Sequence, residues 1–573
     1  MKRRIPFLLE ISAILSLFAS CVNRDYKLTG DIDWSVGADM SVVAPIGHCR
    51  LKLIDVLPDS LNSFKFCVDG DEVYFSKRDT QHLGNDIIGH LKMYPKGLFT
   101  YDMGIDVSVY DQHIGTIERD LEFEFEEINT NPNERLDSIL YKENQYLKVS
   151  MSLPVTAKEG SYFNLRFDHS EVSLDPDIYP DNSVHLNMLG KDTDAEVNLS
   201  KAKIRFNGTK SFHCKLDGYL ISEEEMFGDL ESELNVEFDG LQPRITYGYL
   251  GPDRVIYENT KYIPFNYTKD LQSSDCFLPF HNPEIKLTAL NSIGIPAKYM
   301  LDWVKLRNTT TGEEVFAEFN GKPGTEFILN YPSPTEIKGL SVNELINFNT
   351  QSLIETTEFL LSRGNGHTER LFQIKGDSLE YHYRIIPLDV QGENVSYFFD
   401  DSNIDIAMDV KLVGRFDGNL DNPGKNFYVD RYDTMKVDFS KYKLGDKVKL
   451  SDETVARIKL DHKNHLPVNG RGTLWFCDSL YNMILDTKTV DFEFDAAPIN
   501  QDGEVIGETQ EGNVYYKFNY EEYQELTDRG KSVIIKYRVL NNELKDVWLK
   551  SNDWLDITLE LWASGFVSYE QKK

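Results

Sequence analysis

Cysteine is scarce and badly placed for any familiar framework. The chain has 573 residues and six cysteines, with no C-x-x-C pair among them, so a zinc ribbon and a dense disulfide scaffold are both excluded. Cys49, Cys67, Cys214, Cys276 and Cys477 are scattered and odd in number; at most two bridges can form, and buried free thiols serve equally well. Nucleophile elbows, P-loops, dinucleotide fingerprints and H-E-x-x-H are missing. Long helical patterns are missing too. Past the first twenty residues no apolar run approaches the roughly 20 residues that cross a bilayer. Positive charge is in short supply: 61 Lys and Arg stand against 93 Asp and Glu, a net charge of -32. Such a surface repels phosphate backbones, which excludes nucleic acid as a partner, and it suits divalent cations.

What is present begins with an export signal. Met1-Lys2-Arg3-Arg4 is a basic cap, and the apolar stretch behind it is broken once by Glu10 before running from Ile11 to Ala19. Leu17-Phe18-Ala19-Ser20-Cys21 resembles a bacterial lipobox, with Phe18 where that pattern usually carries Leu. The resemblance implies a signal peptide at 1–20, cleavage before Cys21 and lipid on that residue. Several acyl chains would make the membrane attachment permanent, since each buried methylene contributes about 0.8 kcal/mol. Val22-Asn23-Arg24-Asp25 places one aspartate beside an arginine, a poor version of the acidic export cluster, so surface and periplasmic faces of the outer membrane both stay open.

The rest of the chain has β texture. Leu147, Val149, Met151 and Leu153 alternate with polar residues, as do Leu121, Phe123 and Phe125 with glutamates. Asn207-Gly208 and Asn469-Gly470 are turn signals. The expected class is all-β, built of tandem antiparallel β-sandwiches. An internal repeat organises the C-terminal half. Ile404–Gly414 matches Leu555–Gly565, Ile285–Pro296 matches Ile458–Val468, and strands around Trp303 and Trp475 follow. Thr325–Tyr331 then matches Val514–Tyr520, and a short helix and a further strand come after each. The first helix, from Ser341, has capping-box spacing to Glu344; the second spans Tyr520 to Asp528. The expected units are an N-terminal β domain at 21–140, a sandwich at 141–245, repeat A at 276–425 and repeat B at 448–573, with an insertion in repeat A near 364–400.

The phrases "HNPEIKLTALNSIGIP" and "ARIKLDHKNHLPV" resemble the water-stress and late-embryogenesis β-sandwich family, which implies about seven strands and one helix per repeat. From the lipobox through "VGADMSVVAPIGHCRLKLIDVL", the chain is similar to large lipoproteins of unknown function from Bacteroides-like bacteria. That resemblance implies a location and no activity.

Candidate sites are few. Asp417, Asn419 and Asp421 have the one-three-five spacing of a calcium loop, but Tyr428 stands where position twelve requires glutamate. Structural calcium there is the one cofactor expectation. His462 and His465 fall at a strand end and point apart. Trp554 and Trp562 share the polar face of the last strand with Asp556, Thr558 and Glu560, a candidate glycan platform. The expected function is a non-enzymatic, lipid-anchored envelope protein acting as a binding or scaffold module. The alternative is a glycan-binding lipoprotein of a polysaccharide-uptake system. An envelope glycoside hydrolase comes third, since its two carboxylates can come from anywhere in a chain. Expected partners are the membrane, through lipid on Cys21, and a glycan or envelope protein.

Overall fold

Alternating side chains put one face of a strand in the core and the other in water, and the backbone follows that pattern. Leu147, Val149, Met151 and Leu153 are buried together, as are Leu121 and Phe123. The computed structural model describes residues 36–569, except 57–59, 62–63, 84–94, 127, 129–133, 229, 253, 266–278, 391–395, 419–427, 444–448, 451–454, 486–487, 510–511 and 541–544. The fold is all-β and antiparallel, with a few short helices.

The chain first lays down β1 (Val36–Lys52), β2 (Phe64–Asp69) and β3 (Glu72–His82). Eight main strands follow: β4 (Leu98–Val107), β5 (Ile114–Glu124), β6 (Glu134–Tyr141), β7 (Tyr146–Phe167), β8 (Ser183–Asn198), β9 (Ser211–Ile221), β10 (Leu230–Glu237) and β11 (Pro243–Leu250). Next come β12 (Tyr257–Pro264), β13 (Glu284–Asn291), β14 (Ala297–Arg307), β15 (Thr325–Leu329), helix α1 (Val342–Ile346), β16 (Glu355–Leu361), β17 (Ser378–Pro387), β18 (Ser396–Phe399), β19 (Ile404–Val413) and β20 (Arg415–Phe416). The last group is β21 (Tyr428–Lys436), β22 (Val455–Asn464), β23 (Gly470–Cys477), β24 (Val490–Phe494), β25 (Gly512–Phe518), helix α2 (Tyr520–Arg529), β26 (Ser532–Leu540), β27 (Val547–Trp548) and β28 (Trp554–Tyr569).

The two C-terminal units share one topology. In the first, β3-β19-β13-β16 form one sheet, extended past β3 by β2, and β12-β17-β14-β15 form the other. In the second, the sheets are β1-β28-β22-β25 and β21-β26-β23-β24. Ranked by chain position within its unit, each set of eight strands reads 1-8-3-6 and 2-7-4-5. This is the strand order of a jelly roll, two Greek keys folded into facing sheets.

Each roll takes its first strand from the N-terminal region. β1 lies antiparallel to β28, from Val36 opposite Tyr569 to Lys52 opposite Trp554. β3 pairs with β19 along Tyr74 to His82. The path therefore starts the second roll, starts the first, makes an excursion through β4 to β11, completes the first roll and completes the second. The units are nested rather than tandem. The segment expected as one unit at 21–140 is divided by its pairing: strands between 36 and 82 go to the two rolls, and β4 to β6 join strands from 141–250.

That excursion is a closed barrel. Its sheet runs β8-β7-β9-β5-β4-β10, and β10 also pairs with β7. The 22-residue β7 closes the ring because its two halves face different neighbours. Lys148 to Ser152 pair with β10, and Tyr162 to Phe167 pair with β9. Phe123, Phe125, Phe212 and Phe238 pack inside with ring centroids 5.1–5.9 Å apart. β11 and β6 form a flanking sheet that β18 of the first roll extends.

Half of the expected repeat correspondences share a position in the two rolls. β19 and β28 are both eighth strands, β13 and β22 both third, β14 and β23 both fourth. The other three are displaced by one strand. Thr325–Leu329 is a fifth strand but Gly512–Phe518 a sixth, so α1 and α2 occupy different connections. Alternation marks a strand without saying which strand it is. The extra helical segment of the first roll, 330–354, lies ahead of the sixth strand.

Candidate functional site

In the second roll, the sheet β1-β28-β22-β25 turns one face outward. Leu555, Ile557, Leu559 and Leu561 of β28 are at most 3 % exposed, and burying each contributes about 1.5–3 kcal/mol. Alternation then turns Trp554, Asp556, Thr558, Glu560 and Trp562 outward, where they are half-buried. Antiparallel pairing lines them up with outward residues of β1 and β22, and β22 with those of β25. Among the residues whose side chains are described, the cations Arg50, Lys52, Arg457, Lys459, Lys463 and Lys517 share this face with three acids, Asp556, Glu560 and Asp461. A surplus of positive charge is unexpected on a chain of net charge -32.

The two candidate tryptophans lie on this face, and each already carries a cation. The Arg50 guanidinium sits 4.5 Å from the Trp554 ring centroid and bonds Asp556 at 2.7 Å, while the His465 imidazole stacks on the same ring at 5.5 Å. Arg457 lies 4.9 Å from the Trp562 centroid and 4.9 Å from that of Tyr515. The indole Nε1 of Trp562 donates to Glu560 at 3.2 Å. Arg457, Tyr515 and Arg50 carry no sequence signal as site residues. Strands far apart in the chain bring them together, so only the register reveals them.

Beneath Trp554 lies a buried acid. Asp553 is 1 % exposed and accepts from the Lys550 backbone N–H at 2.8 Å, with His465 Nδ1 at 3.4 Å. Burial raises its carboxyl to about 6. Between the ordinary carboxylate range, about 3.9, and that value, the native state binds more protons than the unfolded chain, so this group's contribution to stability falls as pH rises. Asp553→Asn is expected to melt at or above the wild type at pH 7 and to gain less melting temperature on acidification to pH 5. Calorimetry at the two pH values checks this; superimposable profiles would show that Asp553 does not titrate in that window. His462, three residues before His465, points into the core against Phe492, and burial lowers its pKa.

The calcium candidate resolves differently. Asn419 and Asp421 lie outside the described residues, as do Cys21, Cys276 and the signal peptide. Asp417 is described and contacts His281 Nδ1. One ligand-type atom from each of His281, Asp417 and Asp546 lies within 4.8 Å of the other two. Asp546 accepts from the Gly418 N–H at 3.0 Å, beside the β20–β27 pairing that joins the two rolls. One imidazole and two carboxylates suit a transition metal better than calcium, which takes oxygen ligands. The guanidinium of Arg363, however, lies 3.0 Å from Asp417 Oδ2 and 2.8 Å from His281 Nδ1, and supplies the positive charge an ion would bring. The cluster reads as an ion-pair junction between the rolls. Cys49, Cys67, Cys214 and Cys477 are free thiols.

No protein-family model and no curated protein matches the chain. The resemblance of the C-terminal repeats to the water-stress family therefore finds no support, and their eight-stranded jelly-roll order differs from its roughly seven strands. Among solved structures, a candidate secreted protein from Parabacteroides distasonis superimposes with a TM-score of 0.29 at 13 % identity, covering 54 % of this chain and 83 % of its own. The VP2 subviral particle of infectious bursal disease virus gives 0.13 at 8 % identity, covering 82 % of each chain. At these scores neither superposition carries an argument about fold, location or activity. Among the described residues, no helix is long and apolar enough to cross a membrane.

Proposed function

We propose that this is an exported, lipid-anchored, non-enzymatic protein of the bacterial outer membrane that acts as a binding or scaffold module. The nested path of the chain carries the reading. Val36 pairs with Tyr569, so the first and last described residues meet on the second roll. Lipid on Cys21 would lie fifteen residues ahead of Val36, within about 50 Å of extended chain. The second roll is then held near the membrane. The barrel is the middle of the path, and among the described residues none of its strands pairs with the second roll. Its β4–β5 hairpin carries Val109 and Tyr110 at 93 % and 101 % exposure, which offers surface for a partner.

An epitope at Tyr110 and a Cys21→Ala variant test this in cells. The epitope is expected to be accessible, and Cys21→Ala to move the protein from the membrane to the soluble fraction. Retention of that variant in the membrane would reject the lipid anchor. Accessibility without lysis would make the protein a surface binder; accessibility only after the outer membrane is opened would make it a periplasmic scaffold. A carbohydrate-binding role is the second reading, favoured by the aromatic rings on the open face of the second roll.

A further inference from the structure

We propose that Arg457, clamped between Trp562 and Tyr515, is the recognition point for the carboxylates of an acidic, uronic-acid polysaccharide. The proposal rests on the carbohydrate-binding reading of this face and names its ligand class and its central residue. Arg457 is half-buried and touches two aromatic rings, yet among the described residues it makes no hydrogen bond and no ion pair. Directly opposite it on β25 stands Lys517, exposed and likewise without an acidic partner. Like charges facing each other across strands repel. Among the described residues neither finds an acidic counter-ion, although the chain has 93 acidic residues.

The clamp also prepares the guanidinium for a ligand. Contact with two rings restrains the guanidinium, and its fork of N–H donors matches a planar carboxylate through two parallel hydrogen bonds. Lys517, opposite it in the register, adds a second positive charge on the same face. Tyr515 is 45 % exposed and offers apolar surface to a sugar ring. Charge complementarity selects the occupant: an acidic polymer repelled by most of this protein would be drawn to a sheet face where the described cations outnumber the acids.

The test is affinity electrophoresis of the full chain in gels holding polygalacturonate or neutral dextran, with phosphatidylglycerol vesicles as a separate flotation arm. Polygalacturonate is expected to retard the wild type and dextran not to, with the effect fading as salt rises. Arg457→Lys keeps the charge but loses the fork, and is expected to weaken binding about tenfold, with Lys517→Ala weakening it less. Melting temperatures like the wild type's confirm that both variants fold. No retardation by polygalacturonate, or retardation unchanged in the Arg457→Lys, Lys517→Ala double variant, overturns the proposal. Equal retardation by dextran, lost in Trp554→Ala, would keep carbohydrate binding and reject the anion site. Indifference to both polymers would reject the two together. Vesicle flotation that depends on Arg457, without polygalacturonate binding, would assign the site to a lipid surface and likewise overturn it.

Discussion

A chain lacking residues 36–52 is expected to lose its second jelly roll while the barrel keeps its fold. β1 is hydrogen-bonded along nearly the whole of β28, from Val36–Tyr569 to Lys52–Trp554. Its inward side adds Leu51 to the core that holds Ile557, Leu559 and Phe476, and the next turn adds Leu53, 2 % exposed. Removing the strand uncovers that core and leaves β28 as a long unpaired edge. The loss is about 5 kcal/mol or more, comparable to the whole stability of an ordinary domain. Limited proteolysis should then degrade 428–569 and spare 98–250. The register supplies a control. Because Val36 faces Tyr569, grafting 36–56 after Tyr569 through a two-residue Asn-Gly turn should restore protection. A second roll that resists protease without β1 would show that the strand is dispensable and the nesting incidental.

Arg244→Ala is expected to uncouple the barrel from the first roll. Arg244 belongs to β11 of the barrel flank, and its side chain is 9 % exposed. It donates to Asp400 and Asp401, each at 2.6 Å, and to the carbonyl oxygens of Ile346 at 3.0 Å and Phe348 at 2.6 Å. Its guanidinium also lies 4.8 Å from the Phe399 ring. Every one of these partners lies in a connection between strands of the first roll. Truncation strips donors from two carbonyls and leaves Asp400 to Lys142 alone among its cationic partners, at a cost of about 3–5 kcal/mol. Calorimetry should resolve a barrel transition separated from that of the rolls. Arg244→Lys, which keeps charge but not the fork, should recover only part of the coupling. A single transition at the wild-type temperature in the alanine variant would show that the β11–β18 pairing holds the units together unaided.

The sequence was legible wherever a signal is local. Alternation is a property of neighbouring residues, so it assigns the inward and outward faces of β28 residue by residue, with Trp554 and Trp562 on the half-buried outward face. The capping box at Ser341 is likewise local and is formed in α1. The repeat was legible in the third, fourth and eighth strands, and became displaced by one strand at Thr325–Tyr331 and Val514–Tyr520, where alternation and a shared Asn-Tyr ending do not distinguish a fifth strand from a sixth. Asp417 stood out by its spacing to Asn419 and Asp421, whereas its described neighbours are His281, Arg363 and Asp546, up to 136 residues away.

The sequence by itself determined an all-β chain, the buried and open faces of its strands, and a repeated unit near its C-terminus. Period-two patterning and turn residues act over a few positions and need no partner to be read. Only the tertiary structure decided which strands pair. It gave β1 and β3 to rolls whose other strands lie hundreds of residues later, closed the barrel through the two halves of β7, and set Arg457 between Trp562 and Tyr515. The physical reason is that an edge strand offers the same backbone donors and acceptors to any partner. The choice is made by the core that the pairing buries, and that core exists only once distant segments have met.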